Sequence, residues 1–369
     1  MMVGKPLVEV HTADIHFGVM DPQVQYTILY EQMILPLMNV QFDAFFINGD
    51  LFDHKFLANN AVISYALKFI DDVVNLCAKN GATLVLLHGT LSHDAHQLQL
   101  FYCYKDYIDI RIVNTIGFEI IKGTRVLCIP EEYEHDADYY NKYLLYSGDY
   151  DMVVLHGAIR GAIYGHDTID LSGKTPTFGL SSFRRCNGPI ICGHVHVACC
   201  YENHIYYSGS PLRWRFGEEA EKGFLICTFN PYTYQYYIHL QPIKSFRYDT
   251  VDLSDMLSFS PQAIINKIES DKANGIDFIK VKFDQSNPIT DVIKKYFSTN
   301  RTVKIDAPDY RFTETINQNQ QNNAEFADYA YMLDPNMTPY DIFTKYVNQQ
   351  KGECFITAEE LEQILGSIE

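Results

Sequence analysis

Cations are scarce in this chain. Lys and Arg number 29 against 46 Asp and Glu, a formal net charge of −17 over 369 residues. A broadly basic protein that grips nucleic acid unaided needs Lys and Arg to neutralise phosphates, and that class is excluded. The balance fits a chain that devotes carboxylates to metal ions and leaves most anion binding to a local patch or a partner, and it fits an ordinary acidic soluble protein equally well. No Cys-x-x-Cys pair occurs among the nine cysteines, which excludes a zinc ribbon. Their odd number, with Cys199 and Cys200 adjacent, points to a reducing compartment rather than a disulfide framework. Cys128, Cys192 and Cys227 sit inside apolar runs and read as small core residues. No stretch reaches the ~18 uncharged apolar residues of a membrane helix, and no apolar targeting segment precedes the first strand. These absences predict a soluble cytoplasmic protein without a membrane partner.

What is present is a core and a recurring pattern. Hydrophobic residues make up 47% of the chain, enough to exclude wholesale disorder. At about 150 residues per domain the length suggests two or three domains. Up to about residue 230, strand-like and helix-like segments alternate. Leu7–Val10 runs into a polar cluster from His11 to His16. Asp21-Pro22 caps a helix expected to reach Val40. Asp43–Asn48, Thr83–Leu87, Met152–Leu155 and Pro189–Cys192 are apolar strands that end at Asp50, His88, His156 and His194. A helix over 60–80 is stopped by Gly81. In open α/β sheets the C-terminal strand edge is where ligands bind. Five strands delivering Asp or His to one edge are hard to explain by packing.

The candidate ligands are Asp14, His16, Asp50, His93, His156, His194 and His196. Mixed carboxylate and imidazole donors suit Mn²⁺, Fe²⁺ or Zn²⁺ better than Ca²⁺. A carboxylate such as Asp50 can bridge two ions roughly 3.5–4 Å apart, the arrangement for in-line attack on a phosphodiester.

The blocks Asp14-Ile-His16, Gly49-Asp50-Leu-Phe-Asp53, His156-Gly157 and Gly193-His194-Val-His196 resemble the calcineurin-like metallophosphoesterase superfamily. The segment Tyr207-Ser-Gly209-Ser-Pro211, with Phe216-Gly-Glu218 and Lys222-Gly-Phe224, resembles SbcD-type repair nucleases, which include recombination endonuclease subunits of large bacteriophages. The resemblance covers about residues 7–310. It implies an α/β four-layer sandwich, two mixed β-sheets flanked by helices, over 1–244. A small α+β capping domain over 245–310, a linker over 311–333 and a helical tail over 334–369 would follow. The Asn/Gln run from Asn317 to Asn323 and the capping box at Thr357 support the linker and tail from the residues themselves.

The resemblance also implies roles. Asp14, His16 and His196 would hold one divalent ion, His156 and His194 a second, with Asp50 bridging; the pair would be Mn²⁺, or Mg²⁺. His93 would be the catalytic histidine, with Asp53 and Asp94 behind it. The family's Asn ligand is absent from Gly89-Thr-Leu-Ser92-His93-Asp94, where Ser92 is the expected substitute and Thr90, a carbonyl or a water are alternatives. Arg184, Arg185, Arg213, Arg215 and Lys222 are candidates for DNA phosphates or simply solvated surface. The implied activity is 3′→5′ exonuclease cleavage of duplex DNA and endonuclease cleavage of single strands. A nuclease homodimer would act within a heterotetramer, its tail bound to an SbcC-type coiled-coil ATPase. Two other readings share these residues: a phosphoesterase acting on a nucleotide or phosphoprotein, and a catalytically weak scaffold of the same fold.

Overall fold

The computed structural model describes residues 5–132, 136–160, 175–218, 220–284, 288–300 and 302–307. The expected linker and helical tail lie outside this range. Seventeen strands occur among the described residues. They are β1 (Leu7–Thr12), β2 (Ala44–Asn48), β3 (Thr83–Leu87), β4 (Ile110–Val113), β5 (Gly117–Ile121), β6 (Thr124–Ile129) and β7 (Met152–His156). After the short pair β8 (Ala158–Ile159) and β9 (Thr177–Phe178) come β10 (Ile190–Gly193), β11 (Cys199–Tyr201), β12 (Ile205–Tyr207), β13 (Gly223–Phe229) and β14 (Tyr236–Pro242). The last three are β15 (Tyr248–Asp252), β16 (Phe278–Lys282) and β17 (Val303–Asp306).

Two six-stranded mixed sheets dominate, with orders β14-β13-β1-β2-β3-β4 and β11-β12-β10-β7-β6-β5. In the first, β1 to β4 are parallel and β13 joins antiparallel to β1. In the second, β6, β7, β10 and β12 are parallel and the two edge strands antiparallel. Strand alternation divides each strand between two cores. Ala44 and Phe46 of β2 pack with Cys128, Met152, Val154 and Ile191 of the other sheet in a core between the sheets. Phe45 and Ile47 face the opposite way, into a core shared with Phe69, Ile70 and Val73 of the helix Ala61–Asn80. The far face of the second sheet packs Leu127, Val153 and Leu155 against Tyr140, Leu144 and Phe183. Each large apolar side chain so buried contributes about 1.5–3 kcal/mol. The fold is therefore mixed α/β, with sheets flanked by helices. The cysteines at 128, 192 and 227 are fully buried within it.

The helix Ala61–Asn80 begins where the Asn60 side chain accepts the Val62 amide at 2.9 Å. It ends at Gly81, whose φ of 61° suits a residue without a Cβ. The helix after Asp21 departs from expectation. Its α segment Pro22–Leu29 gives way to a π segment, Tyr30–Ile34, before Leu35–Leu37. Pro36 has no amide to donate to Gln32, and a widened turn absorbs that loss. β1 also runs further than expected, to Thr12, because Glu9 and His11 occupy the face opposite Val10 and are buried there.

The chain divides into two compact units. The first comprises Met1–Val251, Asn266–Lys280 and Arg301–Lys304; the second comprises Asp252–Ile265, Val281–Asn300 and Ile305–Glu369. The leading segment of the first unit ends at Val251. Strands β15, β16 and β17 form their own three-stranded sheet. No described helix is long and apolar enough to cross a membrane.

Candidate metal centre

The candidate ligands come from the C-terminal ends of strands in both large sheets, not from a single edge. Asp14 and His16 follow β1, Asp50 follows β2 and His93 follows β3. His156 closes β7, while His194 and His196 follow β10. The β1 and β2 ends remain paired beyond the strands: the Asp14 amide donates to Gly49 at 3.0 Å and the His16 amide to Asp50 at 3.0 Å. Buried Gln25 clamps the first loop, donating to the carbonyls of Ile15 at 2.7 Å and His16 at 3.2 Å. Asp14, His16, Asp50 and His194 all have positive φ, between 49° and 86°. Left-handed backbone at four non-glycine residues is strain held by the surrounding structure, and such strain collects at functional sites.

Three glycines let these loops approach. A Cβ on Gly49 would lie 2.1 Å from His156 Nδ1, one on Gly89 2.2 Å from Asp50 Oδ1, and one on Gly193 2.2 Å from the Asn48 carbonyl. Asp94 ties the loops together. Its carboxylate accepts the amides of Gly89 at 2.8 Å, Asp50 at 3.1 Å and Phe52 at 3.1 Å. Burial and the neighbouring Asp50 charge push the Asp94 carboxyl up to about 7, against the pull of these amides.

Four overlapping donor groups result: Asp14, His16 and His196; His16, Asp50 and His93; Asp14, Asp50 and His156; and Glu131, His156 and His194. Within each group the donor atoms lie within 4.8 Å of one another. Asp50 stands between the two sides. Its Oδ2 is 3.7 Å from His16 Nε2 and 3.3 Å from His156 Nε2. His156 Nδ1 donates to the Asn48 carbonyl at 2.7 Å, which turns Nε2 toward the carboxylates. Both ring nitrogens of His16 and Nε2 of His156 are buried without a hydrogen-bond partner among the described residues. Buried polar atoms are ordinarily satisfied, so these imidazoles fit a cation that accepts their lone pairs. The buried groups can hold metal ions.

The electrostatics agree. Burial works against the charged form of Asp50, but facing His156 and His16 hold its carboxyl well below the usual range. Burial disfavours a charge on His156 as well, yet Asp50, Asp14 and Glu131 raise it well above the usual value. Burial alone dominates at Asp14, which is raised, and at His16, which is lowered.

No family model matches the chain, and no curated protein matches it. Among solved structures, one crystal structure is 12% identical, covers 64% of this chain and 99% of its own, and superposes with a TM-score of 0.41. The protein of unknown function AQ665 from Aquifex aeolicus is 15% identical, covers 42% of this chain and 79% of its own, with a TM-score of 0.21. Neither superposition is close enough to bear on fold or function.

Around the centre, the structure sorts the remaining candidates. His93 Nδ1 donates to the Asp53 carbonyl, and its ring meets His16 edge-on at 4.7 Å. The Asp53 carboxylate lies 3.7 Å from His16 Nδ1. Ser92 is exposed, and the donor facing His156 and His194 is instead Glu131. Arg213 turns inward, donating to the carbonyls of Glu218 at 2.9 Å and Ala220 at 2.7 Å, and braces that loop. Arg184 and Arg185 are exposed, and the Arg185 carbonyl pairs with the Tyr150 amide ahead of β7. That is the opposite strand edge from His156, roughly 20 Å along the chain from Tyr150 at ~3.3 Å per residue. Arg215 alone of the four stands at the centre, with Nη2 3.3 Å from His196 Nδ1.

Glu131 and Trp214 were not among the sequence candidates, and Lys222, expected at a phosphate, is instead turned inward behind His196. Lys222 is buried, donates to the His196 carbonyl at 2.9 Å and the Ser210 hydroxyl at 2.7 Å, and lies 3.5 Å from Glu218. Glu218 in turn is 3.8 Å from His196 Nδ1. Burial works against its charged form, but His196 and Lys222 hold the Glu218 carboxyl below its usual value. The Gly209-Ser210-Pro211, Glu218 and Lys222 blocks thus converge behind one imidazole. Trp214 meets the rings of His16 at 5.1 Å and His196 at 5.0 Å.

Proposed function

We propose that this chain is a two-metal phosphoesterase of the four-layer metallophosphoesterase fold, an SbcD-type nuclease that hydrolyses DNA phosphodiester bonds with Mn²⁺ or Mg²⁺. The observation that carries this reading is the position of Asp50, one carboxylate oxygen within 4 Å of an imidazole on either side. A bound ion pair would supply an activated water and neutralise charge on a phosphate oxygen.

The chain's own residues have separable tasks in this reading. Asp14, His16 and His196 would hold one ion, His156 and His194 the other, and Asp50 both. Gln25 and Asp94 fix the loops that present them. His93, with Nδ1 committed to the Asp53 carbonyl, keeps Nε2 for protonating the leaving oxygen. Arg215 would hold a phosphate beside His196, and Trp214 walls that side of the centre.

DNA as substrate, 3′→5′ polarity and the heterotetramer with an SbcC-type ATPase rest on the motif resemblance. So does the docking role of 334–369. The deciding assay compares Mn²⁺-dependent turnover of linear duplex DNA with that of a chromogenic phosphodiester. Duplex cleavage should dominate, and His93→Ala should lose about 10²–10⁴-fold in rate while binding Mn²⁺ normally. Full activity in His93→Ala, or turnover of the chromogenic ester alone, would refute the nuclease reading.

A further inference from the structure

Glu131 lies just past β6, on an element remote in sequence from every other ligand candidate. Its amide donates to the His88 carbonyl at 3.2 Å, which holds this segment against the end of β3. The side chain is buried. Its Oε2 is 3.4 Å from His194 Nδ1, 3.5 Å from His156 Nε2 and 2.9 Å from the Thr90 hydroxyl. The other oxygen accepts the Thr175 hydroxyl at 3.0 Å. The Thr90 hydroxyl also stands 3.3 Å from Asp50 Oδ2, and the Thr90 amide donates to Asp50 Oδ1 at 2.6 Å.

A buried carboxylate is costly unless its charge is matched. Here two imidazoles face one oxygen, with the Asp50 carboxylate brought close by Thr90. Imidazoles match a carboxylate only by taking up protons. A divalent cation among the same atoms matches it better, because neutral His donates a lone pair and the carboxylate keeps its charge. Ser92, by contrast, is exposed on the turn of Leu91–Asp94.

We infer that Glu131 is a direct ligand of the second cation. It completes a set with Asp50, His156 and His194 and supplies an anionic oxygen from just past β6 where the 89–94 loop has no asparagine. This rests on the two-metal reading and deepens it. The pair of ions is then surrounded by Asp14, Asp50 and Glu131. The added negative charge should tighten the hold on a hard, oxygen-preferring cation such as Mn²⁺. Thr90 acts as a positioning residue, its hydroxyl donating to Glu131 and its backbone amide to Asp50.

The experiment is a Mn²⁺ titration of the full chain by calorimetry, with free Mn²⁺ read by electron paramagnetic resonance. The wild type should take up two ions. Glu131→Gln, nearly isosteric, should bind one ion with unchanged affinity and the other 10–100-fold more weakly. Glu131→Asp keeps the charge but withdraws it by one methylene, and should show the same selective loss. Ser92→Ala should match the wild type. Circular dichroism melts without metal identify any variant that has failed to fold, and the other Glu131 variant then decides. Two ions bound with wild-type affinities in both Glu131 variants would overturn the assignment, as would a selective loss in Ser92→Ala. A wild-type chain that takes up no Mn²⁺ would instead overturn the two-metal reading, and this inference with it.

Discussion

His156 and Asp50 meet from different sheets. Nε2 of the histidine, at the end of β7, stands 3.3 Å from Oδ2 of the aspartate that follows β2. The imidazole cannot rotate away, because its Nδ1 is held by the carbonyl of Asn48, two residues before Asp50. One strand end therefore supplies both the carboxylate and the carbonyl that aims the histidine at it. This coupling makes the donor cluster a property of the joined sheets.

Trp214 is the only tryptophan in the chain, and it touches two ligand candidates of the first ion position. Mn²⁺ should quench its fluorescence through paramagnetic contact, while Mg²⁺ at saturation should quench far less. Asp14→Asn should right-shift the quenching curve by at least about tenfold, since a carboxylate ligand is lost. An unchanged curve in that variant would separate the quenching from this site.

Ion uptake should depend on pH through His156. Nearby carboxylates raise its pKa above the ordinary 6.5, so in the metal-free protein it holds a proton that must leave before a cation binds. The sign follows: affinity is highest above the raised pKa and falls as pH drops through it, by about tenfold per unit for one displaced proton. Calorimetry in buffers of different ionisation enthalpy should detect proton release that persists above pH 6.5 and fades as pH rises through the raised pKa. Uptake without proton release between pH 6 and 8 would contradict this.

Gly49→Ala should be far more damaging than Gly123→Ala. Both residues have left-handed φ, 92° and 87°, so both substitutions carry backbone strain of roughly 1–2 kcal/mol. Only at Gly49 does the new Cβ strike another group, coming within 2.1 Å of His156 Nδ1; at Gly123 nothing lies within 4 Å. Overpacking should add about 1–3 kcal/mol at Gly49, measurable in urea melts without metal. Equal losses at the two sites would show that the loops relax freely.

The four arginine candidates should separate. Arg215→Ala should raise KM for DNA several-fold with little change in melting temperature, because its guanidinium stands beside His196 and is partly exposed. Arg213→Ala should lower stability instead, since its guanidinium holds two loop carbonyls. Arg184→Ala and Arg185→Ala should change neither. A large KM effect at Arg185 would mean that DNA reaches the far strand edge.

The strand core of the first unit was legible in the sequence because its β-strands are unbroken apolar runs. Thr83–Leu87 matches its expected limits, and the helix ending at Gly81 matches at its C-terminus. The strand-end placement of Asp14, His16, Asp50, His156, His194 and His196 was legible for a local reason: each directly follows or closes a buried strand. The buried Glu9 and His11 of β1 were not, because an alternating polar pattern reads as exposed until a second sheet covers that face.

The sequence by itself determined which residue types stand at the strand ends, since local apolar runs, glycines and caps are encoded within a few neighbours. Only the tertiary structure decided what those ends face. Glu131 is 25 residues from His156 and 63 from His194 in the numbering, and nothing in its own neighbourhood marks it as different from Glu132. It joins the imidazoles because β6 lies beside β7 in the second sheet and its amide is tied to the end of β3 in the first. Ser92 and Arg185 looked equally suitable in one dimension, and both stand exposed in the fold. Donor convergence depends on how two sheets stack, and sheet stacking is fixed by the shared core between them rather than by any local spacing.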